Sequence, residues 1–185
     1  MGFLMSVIRI QALALIALFL LPLGIARAGR VVEGVVRAVY DGDSVLLTTR
    51  EKSRIKVRLY GIDAPETQKR NKAGQPYGDV AKKALMGKIM GRPVTIEVMA
   101  IDQYKRSVAI IRYSGRDINR EMVEEGMAWA YRQYLHGPYA SEYIGSEARA
   151  RSLRAGLWRE SNPRPPWEFR NGRKPHGGYS RHRRD

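Results

Sequence analysis

Residues 31–49 read VVEGVVRAVYDGDSVLLTT, so two runs rich in β-branched residues flank the turn sequence Asp41-Gly42-Asp43. Valine, threonine and tyrosine favour strands, and Asp and Gly are typical of tight hairpin turns. Apolar and polar residues alternate along a third run, residues 55–60, and a fourth, residues 94–100. Residues 108–113 form a fifth apolar run before a Ser-Gly turn. Five short strands indicate a small barrel.

Helical patterns occur after the third strand and again near the end of the chain. Residues 78–90 carry an apolar stripe that ends at Gly91. Asp117 is predicted to cap a second, short helix, and a third is predicted from about Ser141 to Ala155, closed by Gly156. This order is that of an OB-type fold. We therefore expect an α+β, mainly β protein: a five-stranded Greek-key barrel with three α-helices.

The first 28 residues are typical of a secretory signal peptide. Arg9 precedes an apolar run, and Ala26-Arg27-Ala28 matches the A-x-A cleavage pattern. An uncleaved anchor is the alternative, but the apolar stretch is short for a membrane span and Pro22 interrupts it. We expect export to the periplasm or the medium after cleavage near Ala28, with no membrane span in the mature chain.

The other end of the chain is rich in proline and arginine. Residues 161–185 contain Pro163, Pro165 and Pro166 and end in a run of arginines. Such a composition predicts a basic, disordered tail. The folded domain is therefore expected over residues 29–160.

The composition limits which classes of partner and which metal ions the protein can bind. The chain has 185 residues, with 33 Lys and Arg against 18 Asp and Glu, and a formal net charge of +15. This charge favours a polyanionic partner: nucleic acid, anionic lipid or acidic polysaccharide. There is no cysteine and there are only three histidines. Disulfides, thiol catalysis and Cys-ligated zinc are excluded, and a metal here would be a hard cation held by carboxylates.

Acidic residues cluster at the ends of predicted strands. Asp41 is explained by a hairpin turn, but Asp43, Asp63 and Glu66 are not needed for one. A barrel can bring these strand ends together, and Pro65 stiffens the approach of Glu66. We expect an oxygen-ligand site for a divalent cation at this position.

Two arginines complete a possible catalytic set. Arg58 alternates with apolar residues in the third strand, and Arg106 follows a polar turn before the fifth. Either arginine alone would be read as a solvated charge. Phosphodiester hydrolysis, however, requires an attacking water, a metal and bidentate guanidinium donors for the charge of the transition state. The acids and arginines together supply these parts.

Several ordered motifs resemble the staphylococcal nuclease (thermonuclease) family. The resemblance covers roughly residues 31–160, and a series of motifs in the same order is more specific than any one of them. The motifs are Val39-Tyr40-Asp41-Gly42-Asp43-Ser44, Val57-Arg58-Leu59-Tyr60-Gly61-Ile62-Asp63-Ala64-Pro65-Glu66-Thr67, Gly74-Gln75-Pro76-Tyr77-Gly78, Asp102-Gln103-Tyr104-Lys105-Arg106, Ser146-Glu147-Ala148-Arg149-Ala150 and Gly156-Leu157-Trp158.

The resemblance implies a calcium-dependent endonuclease of DNA and RNA that leaves 3′-phosphate ends. By this likeness, Asp43, Asp63 and the backbone carbonyl of Ala64 would ligate calcium. Glu66 would act through water as the general base.

The resemblance also assigns substrate contacts. Arg58 and Arg106 would hold the scissile phosphate and stabilise its transition state, and Tyr104 and Tyr131 would flank the bound nucleotide. Two residues depart from the usual pattern, because Lys105 replaces a glycine and Gln103 stands where a lysine can occur. Those departures bear on substrate affinity more than on chemistry.

Two other functions compete with the nuclease. A non-catalytic nucleic-acid-binding barrel would be expected to have lost at least one of the five charged site residues. All five are present: Asp43, Arg58, Asp63, Glu66 and Arg106. An envelope-binding cationic protein is favoured only by the basic tail. We expect DNA and RNA substrates, no stable protein partner and a monomer.

Overall fold

The computed structural model of the chain describes residues 30–70 and 73–172. The predicted signal peptide, residues 1–28, and the tail beyond residue 172 lie outside these ranges. Within them, no helix combines the length and the apolar character that a membrane span requires.

The described residues form eight strands, four α-helices and two 3-10 turns. The strands are β1 (Arg30–Asp41), β2 (Ser44–Thr49), β3 (Arg54–Leu59), β4 (Ile62–Asp63), β5 (Pro93–Ile101), β6 (Ser107–Tyr113), β7 (Arg116–Asp117) and β8 (Trp129–Ala130). The helices are α1 (Gly78–Ile89), α2 (Ile118–Glu124), α3 (Pro138–Ser152) and α4 (Pro166–Arg170), and the 3-10 turns are Arg132–Tyr134 and Gly156–Arg159.

Five of the strands close into a barrel, as the sequence predicts. Their order is β3-β2-β1-β5-β6, and neighbours in this order are antiparallel. The barrel closes through a parallel pairing of β3 with β6, in which Val57 pairs with Ser107 and Leu59 with Ala109. The mainly β, OB-type fold is confirmed. Closure brings the end of β3 next to the start of β6.

A buried asparagine ties the second helix to the barrel. Asn119, in the first turn of α2, is fully buried. Its Oδ1 accepts a hydrogen bond from the Ile111 amide, and its Nδ2 donates to the carbonyls of Tyr60 and Ala109, each over 3.0 Å. Buried polar groups are costly unless they are bonded in this way. Asn119 therefore links α2 to β6 and to the end of β3.

Two of the three predicted helices match the structure, and the third differs in its bounds. α1 agrees with the predicted stripe, and Asp117 caps α2 by accepting a hydrogen bond from the Arg120 amide. The third helix begins at Pro138, because proline suits the first turn of a helix, and ends at Ser152. Gly156 has a φ of +51° but begins the following 3-10 turn instead of closing the helix.

The predicted disorder of the tail is wrong for residues 161–172. This segment contains α4, and Trp167 packs against a buried cluster formed by Trp129, Ala150, Leu157 and Trp158. Proline and arginine dominate the local composition, but the segment also supplies apolar surface through Trp167. That surface finds partners on the folded domain, so a composition-based reading underestimates the order here.

Candidate active site

The loop between β1 and β2 and the loop after β4 approach each other closely because Gly42 has no side chain. A Cβ on Gly42 would lie 2.7 Å from the Ala64 Cβ and 2.8 Å from the Ala81 Cβ, closer than side chains pack. The Ala64 amide donates a hydrogen bond of 2.9 Å to Asp43 Oδ2. The Thr67 hydroxyl also donates to Asp41. Asp41 thus joins the loops as well as forming the turn.

A second close approach positions Glu66. A Cβ on Gly78 would lie 2.1 Å from the Glu66 carbonyl oxygen, so no larger residue fits at the start of α1. The backbone amide of Glu66 donates to Gln75 Oε1 over 3.0 Å. The backbone amide of Gln75 donates in turn to the backbone carbonyl of Glu66 over 2.8 Å. The backbone of Glu66 is therefore fixed, while its side chain stays partly exposed.

Arg58 links the two buried aspartates. Asp43 is 4% exposed and Asp63 is not exposed at all. Nη1 of Arg58 pairs with Asp43 Oδ2, and its Nη2 donates to Asp63 Oδ1 over 2.6 Å. The strand pairing explains the contact with Asp43, because Arg58 lies opposite Ser44, the residue after Asp43. One guanidinium thus spans both carboxylates.

The surroundings shift the pKa values of the two aspartates in opposite directions. Burial raises the pKa of Asp43, but the charge of Arg58 and hydrogen bonds from Arg58, Ala64 and Ser44 outweigh it and leave that pKa below its usual value. Burial is also the largest influence on Asp63. Together with the charge of Asp43, it raises the pKa of Asp63 despite bonds from Arg170 and the charge of Arg58. Asp63 consequently depends most on cationic neighbours for its ionised form.

A third guanidinium, which sequence reasoning did not include, reaches the site from α4. Nη1 of Arg170 donates to Asp63 Oδ1 over 3.1 Å and to Glu66 Oε1 over 2.8 Å, and its Nη2 donates to Asp63 Oδ2 over 2.8 Å. Burial lowers the pKa of Arg170, but hydrogen bonds and charge from Asp63 and Glu66 raise it above its usual value. Arg170 bridges the aspartate and the glutamate as Arg58 bridges the two aspartates.

The donor chemistry of this cluster fits a hard divalent cation. Among the described residues, no group of three or more His, Cys, Asp or Glu side chains is arranged to hold a metal ion. The carboxylates of Asp43, Asp63 and Glu66 are instead joined through the shared guanidinium groups of Arg58 and Arg170. Carboxylate oxygens are the ligands that calcium prefers. A cation would replace a guanidinium as their partner.

Arg106 and Tyr104 lie on the loop between β5 and β6. Asp102 Oδ1 accepts hydrogen bonds from the amides of Tyr104 and Arg106, and its Oδ2 accepts one of 2.6 Å from Arg106 Nε. Tyr104 is 71% exposed, and its ring centroid lies 5.5 Å from the Arg106 guanidinium carbon. Arg106 precedes Ser107, whose partner Val57 adjoins Arg58, so both arginines approach the seam where β3 meets β6.

Tyr131 follows β8, the strand that pairs with β4 and its Asp63. Its amide donates to the Gly61 carbonyl over 2.8 Å, next to the pairing of β4 with β8. Its ring stacks on Trp167 with centroids 5.0 Å apart and an angle of 3° between the planes. Burial and the charge of Asp63 raise the pKa of Tyr131. The ring is near the carboxylates, but Trp167 covers one face.

Sequence reasoning did not assign three residues that the structure connects to the site. Asp102 carries a sequence signal, because an acid four residues before Arg106 indicates an ion pair. Trp167 and Arg170 had no such signal, because their partners lie far away in the chain: Arg170 contacts Asp63 across 107 residues. Long-range contacts of this kind leave no local pattern.

Comparison with known proteins gives a family match. The family described as staphylococcal nuclease homologue matches residues 56–160, more than half of the chain.

Curated relatives from bacteria and plants agree with that match. An uncharacterised endonuclease of Haemophilus influenzae is 37% identical over 136 residues, covering 74% of this chain and 71% of that protein. A micrococcal nuclease of Shigella flexneri is 34% identical over 150 residues, covering 76% and 82%. A probable staphylococcal-like nuclease of Oryza sativa subsp. japonica is 36% identical over 121 residues, covering 65% of this chain but 34% of the plant protein.

Proposed function

The chain belongs to the staphylococcal nuclease family and hydrolyses phosphodiester bonds, and we propose that it is a calcium-dependent endonuclease of DNA and RNA. The observation that carries the proposal is the guanidinium of Arg58 shared between the buried carboxylates of Asp43 and Asp63. A guanidinium that can bind phosphate thereby lies next to carboxylates that can bind a cation. This combination suits attack on a charged phosphodiester.

The cation would be held by Asp43, Asp63 and the Ala64 carbonyl. When bound, calcium supplies positive charge that polarises the phosphoryl oxygens. In the proposed mechanism Glu66 accepts a proton from the attacking water, which Glu66 can reach because its side chain is partly exposed. Water oxygen bonds to phosphorus, and the bond from phosphorus to the 5′ oxygen breaks. The 5′ oxygen gains a proton from solvent, Glu66 releases its proton to solvent, and a 3′-phosphate end remains.

Arg58 and Arg106 would bind the phosphate from two directions. Each guanidinium can donate two parallel hydrogen bonds to phosphoryl oxygens, and these bonds strengthen as charge grows in the transition state. Asp102 orients Arg106 through its contact with Nε. Tyr104 and Tyr131 offer ring faces for stacking of the neighbouring bases.

A plasmid-nicking assay tests this function. We expect nicking of supercoiled DNA with calcium, loss of nicking with chelator, and little turnover with magnesium alone. Asp43→Asn should lose activity, whereas Asp79→Asn, an exposed carboxylate in the first turn of α1, should keep it. The product should carry 5′-hydroxyl ends that polynucleotide kinase labels without prior phosphatase treatment. Full activity in chelator would refute the metal assignment.

We further propose that the protein acts outside the cytoplasm, after cleavage following Ala28. The support is the A-x-A pattern in the sequence. N-terminal sequencing of protein recovered from the periplasm or the medium should begin at Gly29.

A further inference from the structure

A C-terminal segment lies across the candidate active site and contacts two of its parts. We name residues 163–170 the C-terminal strap. Trp167 of the strap stacks on Tyr131, and Arg170 pairs with Asp63 and Glu66. The family match ends at residue 160, so the strap lies beyond it. We propose that the strap is an autoinhibitory latch in which Arg170 competes with the divalent cation for the site carboxylates. This proposal rests on the proposed function.

Several contacts hold the strap in place. Gln75 Nε2 donates to the Arg164 carbonyl over 3.0 Å, and the same Gln75 side chain accepts from the Glu66 amide. Trp167 also makes a T-shaped contact with Trp129, with ring centroids 5.6 Å apart. The strap is thus anchored to the loop that carries Glu66 and to the aromatic cluster beside β8.

Charge explains why Arg170 and a divalent cation would exclude each other. The site contains three negative charges, on Asp43, Asp63 and Glu66. It also contains two positive charges, on Arg58 and Arg170. These five groups have a net charge of −1 with Arg170 in place and −2 after it leaves. A divalent cation would neutralise the second state. Arg170 also occupies both Asp63 oxygens, which the cation would need.

Trp167 blocks a second requirement of the reaction. Its indole lies parallel to the Tyr131 ring, on a face where a base would otherwise stack. Base and indole cannot occupy the same face, so the closed strap obstructs the nucleotide as well as the cation.

The strap is built to open. α4 has five residues, and a helix this short has little stability of its own. The Arg170 side chain is 40% exposed, so water can replace its partners. Both features favour opening, and ligand binding to the open form shifts the population toward it.

Calcium binding measured by calorimetry tests the latch. Arg170→Gln should bind calcium with an about tenfold lower dissociation constant, as expected if the strap is closed in about nine of ten molecules. Trp167→Ala should also bind calcium more tightly, although it keeps the charge of Arg170. Arg159→Gln removes the same charge from an exposed site before the strap and should match the unmodified protein.

Hydrogen exchange gives a test that needs no variant. In the unmodified protein, calcium should increase amide exchange over residues 163–170, because the strap is released. Unchanged or slower exchange on calcium binding would overturn the latch.

The other outcomes separate the latch from the proposed function. Tighter binding by Arg170→Gln alone would reflect only a missing positive charge and would refute the latch. Equal calcium affinity in every variant, with DNA cleavage intact, would also refute the latch and leave the nuclease function standing. Absence of both calcium binding and cleavage in all proteins would refute the proposed function and the latch with it.

Discussion

At the scale of single residues, the two candidate catalytic arginines have different surroundings. Arg58 is mostly buried and shared by Asp43 and Asp63, whereas Arg106 is more exposed and pairs with Asp102. Loss of Arg58 would therefore affect both folding and chemistry, because it removes the partner of two buried charges. Loss of Arg106 would affect mainly the chemistry.

We expect Arg58→Lys and Arg106→Lys each to reduce kcat by about a hundredfold or more. An ammonium is a point charge and cannot make the planar two-point contact of a guanidinium with phosphate. Steady-state turnover at saturating DNA measures the effect, and circular dichroism checks that the variants fold. Arg112→Lys is the matched control. Arg112 of β6 forms a partly exposed ion pair with Glu97 of β5, and this variant should keep its turnover. Near-normal kcat in a folded variant would show that the substituted arginine is not needed for the chemistry.

At the scale of elements, one acidic side chain connects two helices and a strand. Glu121 of α2 accepts from Lys88 of α1 over 2.9 Å and from both Nε and Nη2 of Arg116 in β7. The bond from Arg116 is the main reason that the pKa of Glu121 falls to about 2, with Lys88 adding to it and burial opposing it. Because the pKa is lower in the folded state, this group stabilises the fold above its unfolded pKa.

Glu121→Gln should therefore lower the free energy of unfolding at pH 7 by about 1 kcal/mol, a value reduced for solvent screening of the partly exposed pairs. The difference from the unmodified protein should shrink as pH falls from about 5 toward 2, because both states then bind the proton. Urea unfolding at several pH values measures it. Glu142→Gln, at an exposed contact of 4.0 Å with Arg120, should have little effect. A pH-independent difference would contradict the assignment to charge.

At the scale of the whole molecule, the basic end divides into two parts with different roles. Residues 163–170 contact the site, so removing them would change the chemistry as well as the charge. Residues 173–185 contain five Lys and Arg and one Asp. A truncation that tests the charge of residues 173–185 alone must therefore end the chain at Gly172.

Truncation after Gly172 should leave kcat at saturating substrate unchanged and weaken binding of long DNA at low salt. Fewer phosphate contacts release fewer counterions, so the slope of log affinity against log salt should fall in magnitude by up to about four. Titrations of long and short DNA at several salt concentrations measure this slope, and short oligonucleotides should differ little. A tail of the same length with its basic residues changed to glutamine is the control for length. An unchanged slope would show that the tail makes no phosphate contacts.

The amino-acid sequence by itself determined the local features of this protein. Alternation of apolar residues located the five barrel strands, and the stripe that ends at Gly91 located α1. The ordered motifs around Asp43, Arg58 and Asp63 indicated the family, and the family match over residues 56–160 includes the last two. Local periodicity and motif spacing depend on neighbouring residues, so they can be read without the fold.

Only the tertiary structure decided which distant groups meet. The parallel pairing of β3 with β6 follows from closing the barrel around one core. The sequence of neither strand predicts which strand it will pair with. The place of Arg170 depends on Trp167 finding Tyr131 and on buried carboxylates that need cations. A proline- and arginine-rich composition predicted disorder from residue 161, yet partial burial of one indole and pairing of one guanidinium ordered the strap. Such energies arise between surfaces that folding creates, so the local sequence does not contain them.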